Sequence, residues 1–298
     1  MSHKSIRLIA ALIVWVVDAL VAHAAEIGLD PSGGRTARAV LEGRIEPGDF
    51  DKFIDFVFKR ENAVEIYLAS PGGNLGEALK IGMAIRHLNL STIVPSKVLT
   101  NQAFDLVAIR HNLKGGKANY LCASACFFVF VAGVYRKADD VGPPILGIHK
   151  PFLLDTGLKT LGNDQSMEAE KRTRMTVENY LRAMDVSAKY IAEMYSVPKG
   201  VTKWVRNDEF ESDFAGFIPK LRDWVNSKCG KDSKESARID CERKVQDDLA
   251  LHAYSGVLQK QNDTVHDRML NIMAQCRSAV IYIIRYYYWL RSGHLKAP

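Results

Sequence analysis

Two periods alternate along the N-terminal half of the chain. Ala39-Val-Leu-Glu-Gly-Arg-Ile45 alternates as a strand does, and Pro47 then opens a helix through Phe53, Phe56 and Phe58. Val64-Glu-Ile-Tyr-Leu-Ala69 predicts a buried strand, stopped by Ser70-Pro-Gly-Gly73. From Leu75 to Leu88 the apolar residues fall at positions 75, 78, 79, 81, 85 and 88, which is helical spacing, and Thr92-Ile-Val94 is strand-like again. Strand, turn, helix, strand is the pattern of βαβ units in a largely parallel sheet, so the fold class expected is α/β.

Further along the pattern loosens. Residues 97–119 interrupt it with a strand-like stretch, Phe104 to Ile109, and a turn at Gly115-Gly116. Tyr120 to Gly133 is a small and apolar run that predicts a strand end entering a buried helix. Ile145 to Ile148 is a short strand ending at His149-Lys-Pro151. Gln165 to Tyr195 predicts two helices broken near Val186-Ser187, and Trp204 to Ile218 a turn, a short helix and a last strand. Beyond Cys229 the chain is charged and helix-compatible over Lys231–Gln261 and again over Thr264–Leu290, an expected α-helical hairpin or tail. The organisation read from this is a leader over 1–24, a main domain over 25–227 and an appendage over 228–298.

The leader is read from the order of its parts. Lys4 and Arg7 precede the apolar run Leu8 to Val17, and Ala22-His23-Ala24 supplies small residues two apart just before Ala25. That order is a secretory signal peptide, which places the mature chain in the bacterial periplasm or outside the cell. A retained anchor is the alternative, against which stands an uninterrupted run of only ten residues ended by Asp18. Composition changes little: 47% hydrophobic and 25% charged residues over 298 positions exclude disorder and a small disulfide scaffold. A net charge of +6 without a dense basic block gives no reason to expect nucleic acid. Most of that charge is local. Met269 to Pro298 carries Arg277, Arg285, Arg291 and Lys296 and no acid, interleaved with tyrosines, so the tail either packs as a helix or makes peripheral membrane contact. Of the five cysteines, Cys122, Cys126, Cys229, Cys241 and Cys276, at most four can pair, and their connectivity is not readable from sequence.

Three short motifs carry candidate chemistry. Ser70-Pro-Gly-Gly73 follows a buried strand and precedes a helix, so its backbone N–H groups can face an oxyanion; alone it reads first as a simple tight turn. Cys122-Ala-Ser-Ala-Cys126 sets a hydroxyl among small residues at a helix start, as a nucleophile needs, or as an N-cap does. His149 ends a buried strand, and histidine is the natural general base near neutral pH; taken singly it reads as a core or surface histidine. No nucleotide, cofactor or metal motif accompanies them.

Together, in this order, they resemble the Clp protease proteolytic subunit family within the crotonase-like superfamily. The resemblance rests on Ser70-Pro-Gly-Gly73, Ser124 and Ile148-His149-Lys150-Pro151, with Ser124 and His149 separated by 25 residues as in the family. It covers residues 39–220, and is closer to a secreted bacterial branch with the Cys-x-Ser-Ala-Cys form. It implies a ClpP/crotonase-like fold of stacked βαβ units and a serine peptidase or hydrolase. Ser124 would be the nucleophile and His149 its base, with an oxyanion hole from the N–H groups of Gly73 and Ala125. The substrate would be a peptide or protein, and the family's homo-oligomers make self-association an expectation. The chain departs from the family in three places. Cys122 stands where a glycine is expected, residues 97–119 look inserted, and Thr202 falls where the family has its aspartate. Asp208, Asp155 and Asp164 are the remaining candidates for a third triad member. A non-catalytic periplasmic binding protein that keeps the fold is the rival reading. Lys150, next to His149 on a strand, should face solvent. A disulfide between Cys122 and Cys126 would brace the serine turn unless both lie in one regular helix. Two packing thiols are the alternative, and a metal site there would be weak.

Overall fold

The computed structural model describes residues 24–33, 37–59, 63–139, 142–151, 163–230 and 235–258. Within them the chain is a mixed α/β protein built on a six-stranded sheet in the order β1-β2-β3-β4-β6-β9. Its central strands are β2 (Ala37–Glu42), β3 (Ala63–Ala69), β4 (Ser91–Val94) and β6 (Tyr135–Ala138), all parallel. Helix α1 (Asp49–Lys59) connects β2 to β3, and α2 (Leu75–His87) connects β3 to β4. Every residue of β3 is buried, as a central strand covered on both faces requires.

The two faces of β3 sort the core. Ile66 and Leu68 join the main core with Phe53 and Ile54 of α1 and Ile81 and Ile85 of α2. Tyr67 and Ala69 point the other way, against Phe104 and Val107 of α3 (Asn101–His111). That helix overturns the strand expected at Phe104–Ile109. Phe104, Val107 and His111 are buried while Leu106 and Ile109 are exposed, which is a helical rather than an alternating period. Thr100 caps it by accepting from the Ala103 N–H at 3.1 Å.

Two strands of the sheet were not expected from the sequence. The lead-in over 25–37 contains β1 (Glu26–Asp30), antiparallel to β2. Strand β6 reads as polar, yet its Arg136 is buried, because its guanidinium donates to the carbonyls of Gly133, Val131 and Met184. The far edge is β9 (Gly216–Phe217), antiparallel to β6.

A second, three-stranded sheet in the order β5-β7-β8 carries the motifs. Strand β5 (Cys122–Ala123) runs parallel to β7 (Leu146–Ile148), and β8 (Lys203–Trp204) runs antiparallel to β7. Helix α4 (Ala125–Phe130) follows β5 into the main core. Around it pack α5 (Asn163–Ala183), α6 (Ala188–Ser196) and α7 (Asn207–Asp213); Phe127 and Phe130 of α4 meet Phe214 just past α7. The break expected near Val186-Ser187 is the turn between α5 and α6, where the Ser187 side chain accepts from the Lys189 N–H.

Helices α8 (Pro219–Cys229) and α9 (Glu235–Leu258) are joined by a Cys229–Cys241 disulfide. The expected partner of the charged helix was the segment 264–290; the described partner of α9 is α8. Val225 and Val245 pack with Phe217 and Tyr135, and Gln246 donates to Glu65 of β3. Residues 1–23 of the leader, Asp155, Cys276 and the tail from 259 onward lie outside the described residues. No described helix is long and apolar enough to cross a membrane.

Candidate active site

Hydrogen bonds join the end of β3 to the start of β5. The Ser70 N–H donates to Leu121 O at 2.7 Å and Ser70 O accepts from the Ala123 N–H at 3.1 Å. Past Ser70 the chain turns on two glycines that nothing larger could replace. Gly72 has φ +95°, and a Cβ there would sit 2.5 Å from Ser124 Cβ and 2.7 Å from Ala125 N. Gly73 has φ +143°, and a Cβ there would sit 2.1 Å from Ile45 O. The Ile45 backbone holds this turn from behind, donating to Gly72 O at 2.8 Å and accepting from the Asn74 N–H at 2.7 Å.

Ser124 is the junction between β5 and α4, with φ 58° and ψ −125°. A side chain in that region costs roughly 1–3 kcal/mol, and it persists only where the surroundings impose it. Here they do: β5 is pinned to β3 and β7, and α4 is packed among aromatic rings. The half-buried Ser124 hydroxyl makes no hydrogen bond among the described residues, so it does not serve as an N-cap. Nor do the N–H groups of Gly73 and Ala125 donate to any acceptor there. A sharp turn that presents a hydroxyl beside open N–H groups is the geometry of a nucleophile elbow.

Register brings His149 to the same end. Cys122 pairs with Leu146 and Ala123 with Gly147, so Ser124 and His149 follow the same ends of the neighbouring strands β5 and β7, with no hydrogen bond between their side chains. The His149 Nδ1 lies 2.9 Å from the Lys150 carbonyl, which can only accept, so Nδ1 is the donor there. On its other side β7 pairs Gly147 with Trp204 and Ile148 with Lys203, so the next position opposite His149 is Thr202. The Thr202 methyl occupies the space over Gly147, 2.7 Å from where a Cβ would be.

No described carboxylate takes the third place. Asp208 sits exposed on the first turn of α7, forked by Arg206 at 3.0 and 2.7 Å. Asp164 is exposed at the start of α5. Lys150 pairs with Glu170 at 2.6 Å and is half-buried rather than fully solvent-facing. Cys122 and Cys126 form a disulfide with Cα atoms 5.2 Å apart, feasible because one is on β5 and the other on α4. It spans Ser124, in the place where a glycine was expected.

One charged cluster escaped the sequence reading. His111 is fully buried, with Nδ1 2.8 Å from Asp30 and Nε2 2.9 Å from Asp139, and its ring stacks on Tyr67 at 4.0 Å. Burial alone would lower the imidazole's pKa, but hydrogen bonds to Asp139 and Asp30 hold it above its ordinary 6.5. Burial would raise Asp30, yet hydrogen bonds from His111 and Ser32 keep it below 3.8. The cluster lies on the sheet face that α3 covers, opposite the face where α4 packs, and its residues lie 81 and 28 positions apart. No local motif could have signalled it. Among the described residues no group of three His, Cys, Asp or Glu is placed to hold a metal.

No family model and no curated protein matches the chain. Solved structures do. A membrane-bound stomatin-specific protease, in an alanine mutant, is 16% identical over 65% of this chain and 83% of its own, with a TM-score of 0.37. A protein described as an enoyl-CoA hydratase from Streptomyces coelicolor A3(2) is 14% identical over 94% of both chains, with a TM-score of 0.32.

Proposed function

We propose that the chain is an exported serine hydrolase of the peptidase type, with Ser124 as nucleophile and His149 as general base. The observation that carries this is the backbone of Ser124, held at φ 58° between β5 and α4 against the Gly72 turn. His149 takes the Ser124 proton as Oγ attacks a peptide carbonyl, and the N–H groups of Gly73 and Ala125 receive the developing oxyanion. The leaving amine takes the proton from His149, and water then hydrolyses the acyl-enzyme by the same route. The Lys150 carbonyl fixes the imidazole tautomer, a part that a carboxylate plays in a full triad. Export is supported by the leader's residue order and by the two disulfides, which persist in oxidising compartments.

Labelling with a fluorophosphonate probe between pH 6 and 9 tests the reading. The mature protein labels and Ser124→Ala does not. A second reading, a binding protein that keeps the fold without the chemistry, is favoured by Thr202 opposite His149. It gains if the wild type fails to label across that range while still binding extended peptides.

A further inference from the structure

The nitrogen of Ala25 lies 3.1 Å from Asp49 Oδ2 in a buried setting: Ala25 is 3% exposed and the Asp49 side chain 0%. Among the described residues Ala25 is the first that is buried, while Ala24 before it is exposed and bridges Arg44. The same oxygen accepts the Glu46 N–H at 2.7 Å, while Oδ1 faces Lys52 Nζ at 2.8 Å. Neighbouring carboxylates have cations of their own. Glu46 pairs with Arg44 at 2.8 Å, and Glu77, which accepts from the N–H groups of Gly48 and Phe50, pairs with Lys80 at 2.6 Å. Lys52 is 53% exposed and stays hydrated, so Oδ2 is a sealed anionic oxygen aimed at a backbone nitrogen.

That nitrogen follows Ala22-His23-Ala24, where the sequence places the end of a leader. We propose that the Ala24–Ala25 bond is the maturation site, and that the α-ammonium freed there forms a buried ion pair with Asp49 that completes the fold. Water hydrolyses the bond: its oxygen joins the Ala24 carbonyl carbon, and the Ala25 nitrogen leaves as an amine that takes up a proton. A charge-assisted contact then replaces a neutral N–H bond at the same oxygen. A cavity of about 660 Å³, lined by Ala24, Glu42, Arg44, Lys114 and Asn119 among others, opens beside this point. Asp49 also reaches the candidate site through two links. It holds Glu46, and the adjoining Ile45 backbone clamps Gly72 and Asn74. The ammonium therefore braces the turn that carries the Gly73 N–H.

The test compares two proteins made in the Ser124→Ala background, so its outcome is independent of the hydrolase reading. One is the exported chain, processed from its own leader; the other keeps Ala24 as its first residue. N-terminal sequencing of the exported chain should give Ala25. Its thermal midpoint should exceed that of the Ala24-retaining chain by at least about 3 °C. Asp49→Asn should erase that difference. A terminus at another residue, or equal midpoints for the two forms, overturns the proposal. The midpoint comparison stands even if Asp49→Asn fails to fold.

Discussion

Strain at Ser124 can be separated from its chemistry. Ser124→Gly should remove the labelling and raise stability by about 1 kcal/mol, because glycine adopts φ 58° without the steric penalty. Ser124→Ala should remove the labelling with no such gain, and urea denaturation of the two variants reads the difference. Gly72→Ala should lose both, since its Cβ would sit 2.5 Å from Ser124 Cβ. Thr202→Asp puts a carboxylate opposite His149 and should speed labelling about tenfold or more. Ser124, His149 and Gly73 stand out in the sequence as candidates because each sits in a short local pattern of glycine, small residues or a strand end. Thr202 was legible too, but only by likeness to a family that has aspartate there. His111 was not, since its meaning depends on Asp30 and Asp139 arriving from distant strands.

At the level of elements, periodicity worked for a fully buried strand and for a helix with one core-facing side, and failed where buried and exposed apolar residues alternate. Helix α2 and strand β3 read clearly, whereas α3 exposes Leu106 and Ile109 beside buried Val107, and that mixture imitates a strand. Strand β6 was hidden by an arginine whose backbone acceptors lie on other segments. The Cys122–Cys126 disulfide closes a loop too short to add much to global stability. Its effect is local, on the turn between β5 and α4. A Cys122→Ala/Cys126→Ala double substitution should slow labelling severalfold while the urea midpoint moves little. A large stability loss with unchanged labelling would contradict that assignment.

Across the whole molecule, the Asp30–His111–Asp139 cluster ties α3 to β1 and to the end of β6, and it makes stability depend on pH. His111 is held above 6.5, so its contribution is complete below that pH and fades as pH rises through the folded value. Asp30 is held below 3.8, so its contribution is complete above that pH and is lost as pH falls through the folded value. Stability from this cluster therefore peaks between the two. His111→Ala should cost about 3 kcal/mol or more near pH 5.5 and flatten the decline above neutrality. The candidate site lies elsewhere, past the ends of β3, β5 and β7, where the Gly72 turn, the Ser124 junction and His149 are found. The claim that this convergence is a working nucleophile meets its most direct test in peptide mapping of fluorophosphonate-treated mature protein by mass spectrometry. The adduct should sit on Ser124 alone and vanish when the protein is unfolded first. An unmodified Ser124 peptide, or an adduct that survives prior unfolding, would contradict it.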